Sequence, residues 1–422
     1  MAAPRSIPVA AIVDGYSTGN FLPDAFDRLG VTVVHVQGDE ELNPSTLVPD
    51  LTKYSDAIVC ADDSQLDTAV KALRQHNPIA VLAGQEPGVI LADRLSELLG
   101  LPSNGSALSL ARRDKYRMIE AVRAAGLRCA DQLVSADPEA IVRWSENRGS
   151  YPVVVKPLTS ASTDHVTICL DAAQTRAAAL DVLSACNIYD EPNTAALVQS
   201  YLDGTEYIVD TVSVDGRMFA CGVWKYEKTV LPGGKNIYDK DVLLDPDQAP
   251  VPELLAYTNE VLRALNIRYG PAHVEVIMTA AGPALVELGA RLNGNMNPGF
   301  HDVCLGANQA DLIALAYARP QDFLNQYADN VYTKRQPAVV HNTSTTLAGE
   351  VVGINQETVD KISALPTVWL LSVKLAPGKQ VRPTVDLLSS PMRIFMTGPD
   401  EAAIQADYET IQRLKDEVYQ LQ

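Results

Sequence analysis

The stretch AHVEVIMTAAGPALVELGARLNGN, residues 272–295, decides how this chain is read. AHVEVIMT (272–279) and GPALVELGA (282–290) read as strands, and the tight turn at Ala280–Gly282 makes them an antiparallel pair. Each strand holds one acid among apolar residues, Glu275 and Glu287. Pairing the strands sets the two carboxylates side by side. Buried like charges repel unless a cation lies between them. Oxygen ligands beside phosphates favour Mg2+. Taken singly, each acid also fits an edge-strand residue or a salt-bridge partner. Arg291, four residues past Glu287, enters the small-residue loop LNGN. There it can stabilise an oxyanion, hold a carboxylate, or simply pair with Glu287.

Upstream, Lys156 closes a very apolar strand within YPVVVKPL (151–158). A lysine buried in a strand is costly unless its charge meets an anion. Snorkelling to the strand end, or a local ion pair, is the plainer alternative. The loop that follows, TSASTDHV (159–166), is rich in small and hydroxyl residues that can close over phosphates. Lys115 lies in RRDKYRMIEAVRAAGLRC (112–129), an amphipathic helix ending at Gly126. In LVQSYLDGTEY (197–207) an apolar strand breaks at Gly204 and resumes with Glu206. Backbone exposed at such a break can meet an adenine edge, and the acid can accept from ribose hydroxyls. Many hairpins share the pattern.

The first hundred residues alternate strand and helix patterns: IPVAAIV (7–13), FLPDAFDRL (21–29), VTVVHV (31–36), YSDAIVC (54–60), a helix to Gln75, PIAVLAG (78–84) and VILADRLSELLG (89–100). That alternation predicts an open parallel sheet, with ligands beyond the carboxyl ends of its strands, at Asp14–Asn20 and Gly84–Gly88. GYSTG (15–19) matches the nucleophile elbow of serine hydrolases, but no downstream His or acid has an evident partner role. It reads as a plain β–α loop. Neither a dinucleotide fingerprint nor a Walker loop is present. Further strands are expected at 195–202, 206–214 and 217–228, a flexible loop at LPGGKNIYDK (231–240), and a helix at 251–267. The tail from about Tyr332 mixes strands with a final helix, EAAIQADYETIQRLKDEVYQL (401–421).

The chain has 422 residues, which predicts two or three domains. Hydrophobic residues at 47% and charged residues at 20% exclude a mostly disordered chain. A net charge of −18 opposes nucleic-acid binding. The six cysteines are scattered without a CxxC, which fits a reduced, cytoplasmic setting better than a disulfide framework. No apolar run reaches the ~18 residues of a membrane span, and the N-terminal apolar run reads as a strand rather than a secretion signal.

In this order, the segments GQEPGVILADRLSELLGLP, ARRDKYRMIEAVRAAGL, PVVVKPLTSASTDHV, LVQSYLDGTEYIVDTVSVDG, HVEVIMT and LVELGARLNGN resemble the ATP-grasp superfamily of carboxylate–amine ligases, over about residues 80–300. Within it the chain looks most like the bacterial L-amino-acid ligases, which make dipeptides, often for natural products. The resemblance implies an α/β fold. An N-terminal parallel-sheet domain (1–110) would precede a small lobe with hinge (111–205), a large lobe (206–331) and a C-terminal mixed subdomain (332–422). It implies ATP and Mg2+, two ions with Mn2+ able to substitute, small amino acids or related acids and amines as partners, and a homodimer. Lys115 and Lys156 would contact phosphates, with Lys156 also near the adenine. Ser162 and Thr163 would donate from the covering loop. Gln199, Tyr201 and Leu202 would form the adenine hinge, Glu206 would hold ribose, and Lys228 would be a further phosphate contact. Glu275 and Glu287 would bind Mg2+, and Arg291 would steady an acyl phosphate.

Two departures from the family pattern stand out. Gln199 replaces a common glutamate, and Gly289 stands where many relatives carry a metal-binding Asn. Substrate choice would fall to Gln85, Glu86, the 231–240 loop, and the stretch holding Asn293, Asn295 and Asn297. Glu86 suits a substrate ammonium or an exposed loop position equally. Two alternatives accompany this reading: a ligase for a non-proteinogenic acid or amine, and a non-catalytic ATP-binding sensor or scaffold.

Overall fold

The structure is a computed structural model that describes residues 7–43, 47–161, 163–230 and 236–422. Short apolar runs and helices alternate at the start: β1 (Val9–Val13), α1 (Leu22–Asp27), β2 (Thr32–Gln37), β3 (Ala57–Val59), α2 (Leu66–His76), β4 (Ala80–Ala83) and α3 (Val89–Leu99). The strands pair in parallel in the order β3-β2-β1-β4. Parallel neighbours need crossovers, and the helices supply them. Val13, Val34, Val36, Leu73 and Leu95 are packed in a core on this sheet. At its carboxyl edge, Ser17 of GYSTG has φ 51° in a short 3-10 turn. Among the described residues its side chain bonds no histidine, so the segment is a connecting loop.

The second sheet follows α4 (Lys115–Ala124) and comprises β5 (Gln132–Ser135), β6 (Val153–Pro157), β7 (Thr167–Cys169) and β8 (Ala196–Ser200). Its order is β5-β8-β6-β7, all antiparallel. The helices α5 (Pro138–Asn147) and α6 (Ala172–Ser184) are inserted between its strands. Asp114, Asp137 and Asp171 cap α4, α5 and α6 by accepting from backbone N–H groups. Val153 and Val155 share a core with Ile141, Ala179 and Val182 of the two helices. Side chains alternate along a strand, so Lys156 points to the opposite face.

The third sheet is the largest. It begins with β9 (Gly204–Val214), β10 (Arg217–Val230), β11 (Asn236–Leu243), α7 (Val251–Ala264), β12 (Gly270–Thr279) and β13 (Gly282–Gly289). After α8 (Pro298–Leu305), α9 (Gln309–Ala318) and α10 (Pro320–Gln326), the tail adds β14 (Ala338–Asn342), β15 (Gly349–Ile354), α11 (Gln356–Ser363), β16 (Val368–Val373), β17 (Gln380–Val381), β18 (Met392–Thr397), α12 (Glu401–Leu414) and β19 (Tyr419–Leu421). The order is β13-β12-β9-β10-β11-β14-β18-β16, with β17-β15-β19 as a small separate sheet. Val209, Val223, Val274 and Val276 turn into the core with Leu254 and Val261 of α7. The alternate positions, Glu206, Asp210, Tyr226, Asp241, His273 and Glu275, share the other face.

Three expectations change. The expected loop at 231–240 is strand from Asn236 onward, because Ile237 and Tyr238 continue the pairing with β10 across a bulge; residues 231–235 lie outside the described residues. The final helix stops at Leu414, and Tyr419–Leu421 pairs with β15 instead. The tail, expected as a subdomain of its own, places β14, β16 and β18 in the large sheet itself.

Candidate active site

Glu275 and Glu287 are direct cross-strand partners on β12 and β13. Their side chains are 22% and 21% exposed, so both carboxylates open to a cleft rather than into the core. Tyr226 Oη donates to Glu275 Oε1 at 3.2 Å, and His273 Nε2 lies 3.5 Å from the same oxygen. Burial alone would raise the Glu275 pKa, but His273 overcomes it and brings it down to about 2. His273 in turn pairs with Asp210 at 2.8 Å. Burial disfavours its charge, yet Asp210 pushes its pKa up to about 9.

Lys115 is the first residue of α4, and its backbone N–H bonds Leu158 O at 3.0 Å. Its Nζ reaches Glu287 Oε1 at 3.0 Å and Ser160 O at 2.7 Å. Lys156 is buried at the end of β6 and has no hydrogen-bond or ion-pair partner among the described residues. Burial, and then the charge of Lys115, pull its pKa down to about 8 against the attraction of Glu287, Glu275 and Glu206. Two lysines thus converge opposite a strip of acids, which suits a polyanion bridged to that strip by a cation.

The residues fit a divalent ion. Mg2+ keeps several waters and needs only one or two carboxylates beside substrate phosphates. Glu275 and Glu287 supply those two carboxylates, and no cluster of three or more His, Cys, Asp or Glu ligands occurs among the described residues.

Arg291 follows β13 and turns to Glu86 Oε2 at 3.0 Å, while Arg113 Nη1 takes Glu86 Oε1 at 3.1 Å. Glu86 is therefore a buried acid shared by two arginines. Burial works against its charge, but Arg113 and Arg291 hold its pKa below the usual carboxylate range. This overturns the loop-acid expectation for Glu86 and replaces the Arg291–Glu287 ion pair. Gly289 makes the arrangement possible. A Cβ there would lie 3.1 Å from the Arg291 guanidinium carbon and 3.1 Å from Glu86 Oε2. The space beside Gly289 is filled by the Arg291–Glu86 pair.

The remaining expected residues spread around this centre. Glu206 is buried, bonded by Lys228 Nζ at 2.5 Å and by Tyr238 Oη at 3.2 Å. Burial raises its pKa, and Lys228 opposes that. Gly204 sits where β9 passes close to β12, since a Cβ would lie 2.1 Å from Met278 O. Gln199 donates from Nε2 to Gln132 Oε1 at 2.9 Å. Tyr201 and Leu202 lie in the connection between β8 and β9. Thr163 holds φ 62° in the loop after β6, and Ser162 lies outside the described residues.

Gln85 Oε1 accepts from Glu86 N at 3.0 Å. Asn293 Nδ2 donates to Asp210 at 2.7 Å, Asn295 Nδ2 donates to Asp241 at 2.7 Å, and Asn297 Oδ1 caps α8 by accepting from Phe300 N at 3.2 Å. These three asparagines are thus tied to the protein itself. Asp210, Tyr226, Tyr238, His273 and Arg113 were not singled out from sequence. The strand period held a signal for three of them: Glu206 and Asp210 share a face, as do Tyr226 and Lys228, and His273 and Glu275.

An ATP-grasp domain family matches residues 149–298. The chain is 32% identical to dapdiamide A synthase of Enterobacter agglomerans, over 98% of this chain and 97% of that protein. It is 24% identical to the L-arginine-specific L-amino acid ligase of Bacillus subtilis, over 61% of this chain and 65% of the relative. In fold it is similar to the crystal structure of an L-amino acid ligase from Bacillus licheniformis, with a TM-score of 0.74 and 17% identity, covering 100% of this chain and 99% of that one.

Proposed function

The chain belongs to the ATP-grasp ligases and forms an amide bond using ATP, and from that premise we propose that it joins the carboxylate of one amino acid to the amine of another in natural-product biosynthesis. The observation that carries the reading is the opposed Glu275–Glu287 pair facing Lys115 and Lys156. The first carboxylate attacks the γ-phosphate of ATP, giving an acyl phosphate and ADP. The amine then attacks the acyl carbon and phosphate leaves. Lys156 holds a phosphate oxygen, and Lys115 turns to another as it gives up Glu287. Glu275 and Glu287 would hold Mg2+, two ions with Mn2+ able to substitute, and the metal would supply neutralisation of phosphate charge. Arg291, held in place by Glu86, donates to the developing oxyanion. Such catalysis is mostly positioning and charge neutralisation.

Backbone atoms of Tyr201 and Leu202, with the Gln199 amide, hold the adenine. Glu206 exchanges Lys228 for ribose hydroxyls and releases that lysine toward phosphate. Ser162 and Thr163 cover the phosphates and exclude water from the acyl phosphate. Selection of substrates lies with the Gln85–Glu86 turn and the loop carrying Asn293, Asn295 and Asn297. A homodimer is part of the reading, and the exposed Trp369 and Leu370 on edge strand β16 are available to it. The test is ADP release with Mg-ATP across amino acids, singly and in pairs, with products read by mass spectrometry. Release that requires two amino acids, with a dipeptide mass, supports the reading. Tight ATP binding without release from any acid and amine overturns it.

A further inference from the structure

Away from the acid pair, the same sheet face holds polar groups that the fold leaves unanswered. Asp241 on β11 is 2% exposed and Asn342 on β14 is 1% exposed. Asp241 Oδ2 accepts from Asn295, but its Oδ1 is buried without a partner. Asn342 Oδ1 accepts from Arg393 Nε at 3.2 Å. A guanidinium only donates, so that bond fixes the amide's orientation and turns Nδ2 away. Asn342 Nδ2 is likewise buried without a partner. Arg393, on β18, also donates from Nη1 to Gly294 O at 3.2 Å. Among the described residues no carboxylate lies within ion-pair distance of Arg393, and its Nη2 has no acceptor. Burial pushes the Asp241 pKa up to about 7 against the Asn295 hydrogen bond and the charge of Arg393, which it does not touch.

The unmatched atoms are complementary to one chemistry. Arg393 Nη2 and Asn342 Nδ2 are donors awaiting a carboxylate, and Asp241 Oδ1 is an acceptor awaiting an ammonium. An α-amino acid presents both. Buried polar atoms left unpaired are rare in a native fold and mark a binding partner or a working site.

The place relative to the acid pair decides which substrate this is. Tyr226 is the cross-strand partner of Asp241, and the same Tyr226 donates to Glu275. Asp241 is thus three strands from Glu275, roughly 14 Å between backbones at about 4.8 Å per strand. The loop that closes on Asp241 and Arg393, through Asn295 and Gly294, continues directly from Arg291. A carboxylate held at Arg393 is one kept away from the transferred phosphate, so it is the carboxylate that survives in the product.

Building on the ligase reading, we propose that Arg393, Asn342 and Asp241 bind the amine substrate as an α-amino acid, Arg393 and Asn342 holding its free carboxylate and Asp241 its ammonium. The acceptor is therefore an amino acid and not a polyamine or simple amine. Asn295 is a positioning residue that orients Asp241.

The test compares amine acceptors at saturating Mg-ATP and acid substrate, reading ADP release from wild type, Arg393→Met and Arg393→Lys. The acceptors are the amino acid found in the pair screen, its carboxamide, and hydroxylamine. In wild type the carboxamide is a poor acceptor. In Arg393→Met the KM for the amino acid rises about 30-fold or more, the acid–amide gap closes, and hydroxylamine turnover and the KM for ATP stay at wild-type values. Arg393→Lys, which keeps the charge, restores part of the loss. Asn342→Ala repeats the effect more weakly. Equal loss with amino acid and hydroxylamine in Arg393→Met, or an unchanged KM, overturns the assignment while leaving the ligase standing. No hydroxylamine-dependent ADP release from wild type with any acid removes the ligase reading, and the assignment with it.

Discussion

The two ends of the large sheet are built on opposite principles. At the β13–β12–β9 end nearly every charge has a partner: Glu275 has Tyr226 and His273, Glu287 has Lys115, Glu206 has Lys228, and Glu86 has two arginines. At the β11–β14–β18 end, Asp241, Asn342 and Arg393 are each half-satisfied. A site for a highly charged ligand must survive its absence, and internal ion pairs allow that because they exchange when the ligand arrives. A site for a neutral zwitterion carries less charge and can hold its donors and acceptor open. Lys156 is the exception at the charged end, an unpaired ammonium from another sheet.

The largest expected break of this contrast is Glu287→Ala. Turnover should fall about 10³-fold or more if Glu287 is the metal-binding carboxylate proposed, with little change in melting temperature. A large loss of stability with turnover intact would make Glu287 a structural partner of Lys115. Lys156→Ala should raise the Kd for ATP about 10- to 100-fold, and equilibrium binding of a fluorescent ATP analogue measures it. Unchanged affinity would move the phosphate site elsewhere.

The same lysine supplies a pH test with two opposite signs. Its folded pKa of about 8 lies below the ordinary 10.5. Between those values the unfolded chain holds a proton that the folded, ligand-free protein lacks, so this group's contribution to stability rises with pH. If Lys156 binds ATP as proposed, the ammonium is the binding form, and affinity is expected to fall as pH rises through about 8. Comparing melting curves and ATP titrations of wild type and Lys156→Met from pH 7 to 9 separates the two. Parallel pH trends in both proteins would show that Lys156 causes neither.

Smaller effects sharpen the picture. Gly289→Asn should displace Arg291 from Glu86 and lower kcat about 10-fold, with ATP binding kept. Activity equal to wild type would mean that Arg291 can work without that support. Asn297→Ala removes the cap of α8 and should cost about 1 kcal/mol of stability, seen as a drop of a few degrees in melting temperature. A changed amino-acid preference without that drop would make Asn297 a substrate contact.

Much of the charged end was legible because it rests on local rules. Period-two alternation and the tight turn bring the strands of Glu275 and Glu287 together, but a bulge beside Glu275 is what sets the two acids directly opposite each other. The apolar run before Lys156 announces a buried lysine, and Gly126 ends the amphipathic helix that presents Lys115. The parallel sheet was equally plain from alternating strands and helices. Less legible was β11, where a bulge and the glycine-bearing 231–235 segment disguise the strand.

By itself the sequence determined the strands that carry Lys156, Glu275 and Glu287, the helix that carries Lys115, and the ATP-grasp order of the parts. Tertiary structure alone decided that Glu86 serves Arg291 across 205 residues, that Gly289 yields its space to that pair, and that Arg393 reaches Gly294 across 99 residues. It also decided that the tail completes the large sheet. Local patterns set period and turns, because those depend on neighbouring residues. Which buried charge meets which partner depends on the faces left open when the sheets close, and no stretch of sequence states that alone.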